Sequence, residues 1–400
     1  MAEARTSLRG NSLNYSSIRK LLPYAKKAIE SGVKVIKLNI GDPDLKTPKQ
    51  FIAALHDWNV DPIRYAQPAG EPELIASLLD YYHKCGYKEL KTEDIIVTIG
   101  GSEALSMAMF AVADIDDEIL VPEPFFANYS ILAQQQGIKL IPIPTNIDNG
   151  FRLPSKAKIE KLINKRTKAI LYSSPGNPTG TTYNKQEIEM LLQIAKEKGI
   201  YLVSDEVYRE YIFSDDKHES LVPYMDEYPN NLIMLDSFSK RYNLCGARLG
   251  MLVTKSENIK DIVLRLANGR LSGGLIDQLM GSALKQVPNS HFKRSTKELK
   301  KRRDVVIKHL NSIKGVKTYI PDGAFYLMVE LPVIDAEDFS KFLLEKFRVD
   351  NTTVMLAPGR GFYLTKNKGI NEIRIAYVVN SEELIKAIDI IAKGLVAYSG

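Results

Sequence analysis

Seven short apolar runs lie between residues 95 and 254: 95–99, 119–121, 139–143, 169–173, 201–204, 232–235 and 249–254. Several are unbroken Ile, Leu and Val rather than alternating with polar residues. A run that is apolar at every position must be covered on both faces, as in a strand of a mostly parallel sheet. The sequence between them carries helical patterning, as in 185–198, which Gly199 closes. This alternation predicts an α/β fold, with a large domain over 48–290 built on a mostly parallel central sheet. A long polar helix over 289–314 should follow. Runs at 324–330 and 372–378, with a helix over 336–347, predict a smaller α+β domain over 291–400. Residues 1–47 should form an N-terminal arm and part of that smaller domain.

Composition narrows the function classes. The apolar fraction is 44%, the charged fraction 26% and the net charge +6, ordinary values for a soluble globular enzyme. The basic residues are spread along the chain among Asp and Glu, as in 156–168, so solvated helix faces explain them better than a nucleic-acid patch. Cys85 and Cys245 are too few and too distant for a disulfide framework or a zinc site. Residues 1–14 hold no apolar run of signal-peptide length, and no stretch approaches the roughly 18 apolar residues of a membrane span. The cytoplasm is the expected location, with no membrane and no metal involved.

Lys240 lies after the 232–235 run, within Asp236-Ser-Phe-Ser-Lys240, and Arg248 and Gly250 follow before the next run. A lysine at a strand end of an α/β sheet faces the crevice where such folds bind ligands. A lysine buried there would have its ammonium disfavoured by desolvation, which makes the amine available for Schiff-base chemistry. A lone lysine of this kind is more often a surface loop residue. Asn177, in Ser174-Pro-Gly-Asn177-Pro-Thr-Gly180, reads first as a turn. Asp205, in Ser204-Asp205-Glu-Val-Tyr208, reads equally as a helix cap. Gly100, Gly101 and Ser102 join a run to a helical pattern; glycines there let backbone N–H groups close on a phosphate. In Glu123-Pro-Phe-Phe126, an aromatic is ordinarily packing.

Together these motifs resemble the class I and II pyridoxal-phosphate-dependent aminotransferases. The likeness is carried by Ser237, Ser239, Lys240, Gly246, Arg248 and Gly250, with the other motifs in family order. It implies fold type I, in which three αβα layers carry a smaller domain. It implies pyridoxal 5'-phosphate held on Lys240, which also moves the substrate proton. Asp205 would keep the ring nitrogen protonated, and Asn177 and Tyr208 would bond the phenolic oxygen. Gly100, Gly101, Ser102, Ser237 and Arg248 would hold the phosphate, and Phe126 would stack on the ring, with Phe125 the competing choice. Gly41, in Asn39-Ile-Gly41-Asp-Pro-Asp44, would meet the substrate carboxylate, which Arg374 would grip with its planar fork. Tyr65 would reach the phosphate of a partner's cofactor, making the enzyme a homodimer with shared active sites.

The implied reaction is ping-pong transamination between an L-amino acid and a 2-oxo acid such as 2-oxoglutarate. A lyase or decarboxylase of the same fold is the alternative, because the cofactor stabilises a carbanion whichever bond breaks. A ligand sensor fused to a DNA-binding module is disfavoured, with only about 40 residues before the substrate loop. Arg270 and Arg360 are the candidates for reading a distal carboxylate. The Ile18-Arg-Lys20 opening and the Cys245-Gly-Ala-Arg248 stretch look most like aspartate aminotransferases. Two departures loosen that likeness: Ser102 stands where some branches carry Lys, and Ala247 where many carry Trp.

Overall fold

The computed structural model describes residues 5–13, 19–57, 59–214 and 217–399; Ile18 of the opening motif lies outside them. Each of the seven apolar runs is a strand of one sheet. Its spatial order is Ile95–Ile99, Leu249–Val253, Leu232–Ser237, Tyr201–Asp205, Thr167–Ser173, Glu118–Glu123, Lys139–Pro144. Neighbours run parallel except around Leu249–Val253, which is antiparallel to both of its partners. The central strands bury every residue or nearly so, which is why their sequences do not alternate. One hydrophobic core packs on each face of the sheet, around Ile170 and Met234 on one side and Leu171 and Leu235 on the other.

Helix ends follow local chemistry. Lys185–Lys198 begins at Asn184, whose side chain accepts from the Glu187 N–H while Glu187 accepts from the Asn184 N–H. It ends at Gly199 in the left-handed region, φ 63°. Such a box supplies about 1 kcal/mol. The long polar helix spans Ser290–Leu310, shorter at its C-terminal end than its pattern suggested.

A second core surrounds a three-stranded antiparallel sheet, Ala357–Pro358, Glu372–Ala376 and Tyr326–Glu330, in that spatial order. Helices Ala336–Glu345 and Ser381–Ser399 pack there with Ser290–Leu310. The N-terminal strand Lys34–Lys37 pairs in parallel with Thr352–Met355. The Leu38 N–H continues that ladder to the Met355 carbonyl at 3.0 Å. This pairing carries residues 39–44 to the rim of the large sheet. No described helix is long and apolar enough to cross a membrane.

Candidate active site

Several strands end in polar residues at one rim of the large sheet, and a cavity of about 160 Å³ lies there. Its lining includes Gly101, Ser102, Phe126, Asn177, Asp205, Tyr208, Ser237, Lys240 and Arg248. Nine of the residues singled out in the sequence therefore share one cavity.

The Leu232–Ser237 strand turns abruptly into the four-residue helix Phe238–Arg241, because Ser237 caps it: its Oγ accepts from the Ser239 N–H at 3.1 Å. That turn brings Lys240 over the strand end. The Tyr211 hydroxyl holds the Lys240 carbonyl at 2.9 Å. The Lys240 Nζ donates to the Gly41 carbonyl at 2.7 Å and lies 3.7 Å from the Cys245 Sγ. Beneath this turn, the fully buried Asp236 accepts from Arg241 Nη1 at 2.6 Å, the Tyr82 hydroxyl at 2.8 Å and the Ser237 N–H at 2.7 Å. The Asp236–Arg241 salt bridge thus joins the chain on the two sides of Lys240 and fixes its position.

One end of the cavity suits an anion. Gly100, at φ +73°, opens the helix Gly100–Val112. A Cβ there would sit 2.5 Å from Arg248 Nη2, and one on Gly250 would sit 2.3 Å from the Gly100 carbonyl carbon. Two stretches of backbone and a guanidinium thus approach one another as closely as bare glycines permit, with Ser102 and Ser237 lining the same cavity. Arg248 is itself left-handed, φ 45° and ψ 44°, a strained conformation for a side-chain-bearing residue.

Asp205 lies within the cavity wall. Tyr129 donates to its Oδ2 at 2.7 Å, and the Val207 N–H to its Oδ1 at 3.3 Å. Burial pushes its pKa up to about 6, beyond what those two bonds offset, and the nearby carboxylates Asp236 and Glu206 add to the rise. The sign of the stability effect follows. The folded chain binds this proton more tightly than the unfolded chain, so the penalty is absent below pH ~4, grows towards pH ~6 and is complete above it. Asp205→Asn is therefore expected to raise the melting temperature of the cofactor-free protein by about 2–5 °C at pH 8 and to leave it unchanged near pH 4. Equal shifts at both pH values in thermal unfolding would refute this.

Phe126, not Phe125, lines the cavity; Phe125 is buried and stacks on Tyr129, with ring centroids 6.0 Å apart. Asn177 Oδ1 accepts from Arg374 Nη1 at 2.8 Å, which leaves its amide N–H groups as donors. Arg374 is fully buried. Its Nη2 is held by the Asn39 carbonyl, its Nε has no hydrogen-bond partner, and its Cζ lies 4.5 Å from the Tyr326 ring centroid. Burial lowers its pKa.

The remaining sequence candidates lie elsewhere. Tyr65 is 80% exposed. Arg270 does not line the cavity. Its Nε lies 3.1 Å from Glu103, and its Nη2 donates to the carbonyls of Val97 at 2.8 Å and Pro68 at 3.3 Å. Arg360 is exposed and bonds Asp335 at 2.8 Å. Local acceptors orient both guanidinium groups, although Nε and Nη1 of Arg270 have no hydrogen-bond partner. Sequence reading passed over Tyr129, Tyr326 and Cys245. The first two look like core aromatics, and only their hydroxyl contacts reveal otherwise. Cys245 was noted as too isolated for a disulfide and as part of the Cys245-Gly-Ala-Arg248 stretch, but given no place in the site.

Comparison with known proteins agrees with this geometry. The family model described as "Aminotransferase class I and II" matches residues 33–391. The chain is 32% identical over 387 residues to an aspartate aminotransferase of Pyrococcus horikoshii, covering 95% of this chain and 94% of the relative. An aspartate/prephenate aminotransferase of Thermus thermophilus is 29% identical, with 92% and 94% covered. Among solved structures, an alanine aminotransferase from Pyrococcus furiosus superposes with a TM-score of 0.88 at 30% identity, covering 98% of this chain and 100% of that one. The aspartate aminotransferase of Thermus thermophilus with maleate gives 0.88 at 27%, with the same coverage.

Proposed function

The chain belongs to the class I and II aminotransferases, an enzyme family of pyridoxal-phosphate-dependent transaminases, and on that premise we propose that Lys240 carries the cofactor and that aspartate is the amino donor, with 2-oxoglutarate as an acceptor. The observation that carries the assignment of the lysine is the single cavity that holds Lys240, Asp205, Asn177, Tyr208 and Arg248. The residues fit the group at each end. The glycine-lined cradle beside Arg248 suits a phosphate, and a buried carboxylate whose charged neighbours are acidic suits a cationic ring nitrogen.

When bound, pyridoxal phosphate supplies an electron sink for the charge left at the substrate's Cα. Asp205 would keep the ring nitrogen charged. Asn177 and Tyr208 would donate to the phenolic oxygen, and Phe126 would pack on the ring. Gly100, Gly101, Ser102, Ser237 and Arg248 would hold the phosphate. Arg374 would take the α-carboxylate beside the Gly41 loop, with Asn177 steering its fork. The Lys240 Nζ would serve as the base that removes the proton from the substrate's Cα.

We place Tyr65 against the phosphate of a second subunit's cofactor, in a homodimer. Tyr65, Ile63, Ile99, Leu271 and Ile276 are large apolar side chains left exposed, which a second copy would cover. The division into 1–47, 48–290 and 291–400, and a cytoplasmic location, complete the reading. The relatives named above are all aminotransferases, so a lyase or decarboxylase has no support among them. The substrates in their names range over aspartate, prephenate and alanine. An amino-donor by oxo-acid activity matrix decides among these: aspartate with 2-oxoglutarate should give the highest kcat/KM. A tenfold preference for alanine would overturn the donor assignment and leave the transaminase intact.

A further inference from the structure

Tyr326 opens the strand Tyr326–Glu330 and is almost wholly buried. It lies against three working parts of the site at once. Its hydroxyl is 2.9 Å from that of Tyr208. Its ring lies under the Arg374 guanidinium at 4.5 Å. A Cβ on Gly41 would sit 1.6 Å from its Oη, so the backbone of Gly41, whose carbonyl holds Lys240, rests directly on that hydroxyl. An ordinary core tyrosine needs one partner for its hydroxyl; this one joins the lysine loop, the phenol beside it and the buried arginine.

The two hydroxyls can share only one proton between them, so the direction of that bond matters. Tyr208 has a single hydrogen. If it donates that hydrogen to the cofactor's phenolic oxygen, it must accept from Tyr326. A hydroxyl that accepts a hydrogen bond is polarised into a stronger donor. Stronger donation stabilises negative charge on the phenolic oxygen and lowers the proton affinity of the neighbouring nitrogen.

We propose that Tyr326 is a positioning residue with two separable roles: its hydroxyl donates to Tyr208 and strengthens that residue's hold on the cofactor, and its ring supports Arg374 for the substrate carboxylate. This rests on the roles proposed above for Tyr208 and Arg374. Two substitutions separate the parts. Tyr326→Phe removes the oxygen and keeps the ring, whereas Tyr326→Leu removes both.

The test is a pH titration of the bound cofactor's visible absorbance in the wild-type holoenzyme, Tyr208→Phe, Tyr326→Phe and the double variant. Tyr326→Phe should raise the midpoint by roughly half a unit. Tyr208→Phe should raise it further, and the double variant should match Tyr208→Phe alone, because the outer hydroxyl acts only through the inner one. In steady-state kinetics, Tyr326→Phe should leave KM for the best donor within about twofold, while Tyr326→Leu should raise it about fivefold. A Tyr326→Phe midpoint equal to wild type, or a shift that adds in full to that of Tyr208→Phe, overturns the hydroxyl role. Equal KM in the Phe and Leu variants overturns the ring role. If Tyr208→Phe leaves the midpoint unmoved, the role proposed for Tyr208 itself fails, and the hydroxyl role of Tyr326 falls with it. A shift in Tyr208→Phe without one in Tyr326→Phe removes only the hydroxyl role of Tyr326 and leaves the role of Tyr208 standing.

Discussion

Replacing Lys240 with alanine is expected to lower kcat by about 10³-fold or more and to abolish covalent retention of the cofactor. Both losses trace to one nitrogen. Among the residues lining the cavity Lys240 is the one primary amine, and Arg248 there is a guanidinium, which forms no Schiff base. Cys245 lies nearby, but burial raises its pKa and leaves a thiol rather than a thiolate. The measurement is single-turnover reduction of the bound cofactor's absorbance on mixing with the best donor, with borohydride trapping as the covalent readout. A Lys240→Ala enzyme that keeps kcat within tenfold of wild type would sink the assignment. Partial recovery by a small added amine, with trapping still lost, would separate proton transfer from attachment.

Replacing Arg374 with leucine is expected to cut kcat/KM for amino acids by about 10²–10³-fold, the worth of two charge-assisted hydrogen bonds of roughly 1.5–3 kcal/mol each, less some relaxation. The cost of holding this cation is already visible in the structure. It is buried, its pKa is lowered by that burial, and its Nε has no partner. Its Nη atoms are steadied by Asn177 and Asn39, so little ordering is left to do when a carboxylate arrives. The comparison that checks this uses an amino acid and the matching amine without the carboxylate. The leucine variant should lose most of the wild-type preference between them. If the preference survives, the carboxylate is gripped elsewhere.

The large sheet was legible because its strands are buried on both faces, which writes an unbroken apolar run into the sequence. The antiparallel course of Leu249–Val253 was not legible, because a buried strand reads the same in either direction. Residues with unusual local chemistry, such as Lys240 after a serine-capped turn or Asp205 at a strand end, could be singled out from their neighbours in the chain. Tyr326 and Tyr129 could not. Each is an aromatic within an apolar or helical stretch, and its hydroxyl acquires meaning from a partner far away in sequence. Arg270 and Arg360 show the converse. Their charge was evident, but the direction of a long side chain is set by whichever acceptor folds beside it. For Arg270 that is Glu103 with two backbone carbonyls, and for Arg360 it is Asp335.

The Lys240 amine meets a carbonyl 199 residues away, and Arg374 meets partners 197 and 335 residues away. Contacts of that span close late, after the loops between them have been ordered. On the ribosome, the last strand of the large sheet is complete at residue 253, while Arg374, the residue proposed to grip the substrate, is still unmade. A nascent chain of that length carries the lysine and the phosphate cradle but has neither Tyr326 nor Arg374. The proposed cofactor contacts and the proposed substrate arginine are therefore separated in the order of synthesis.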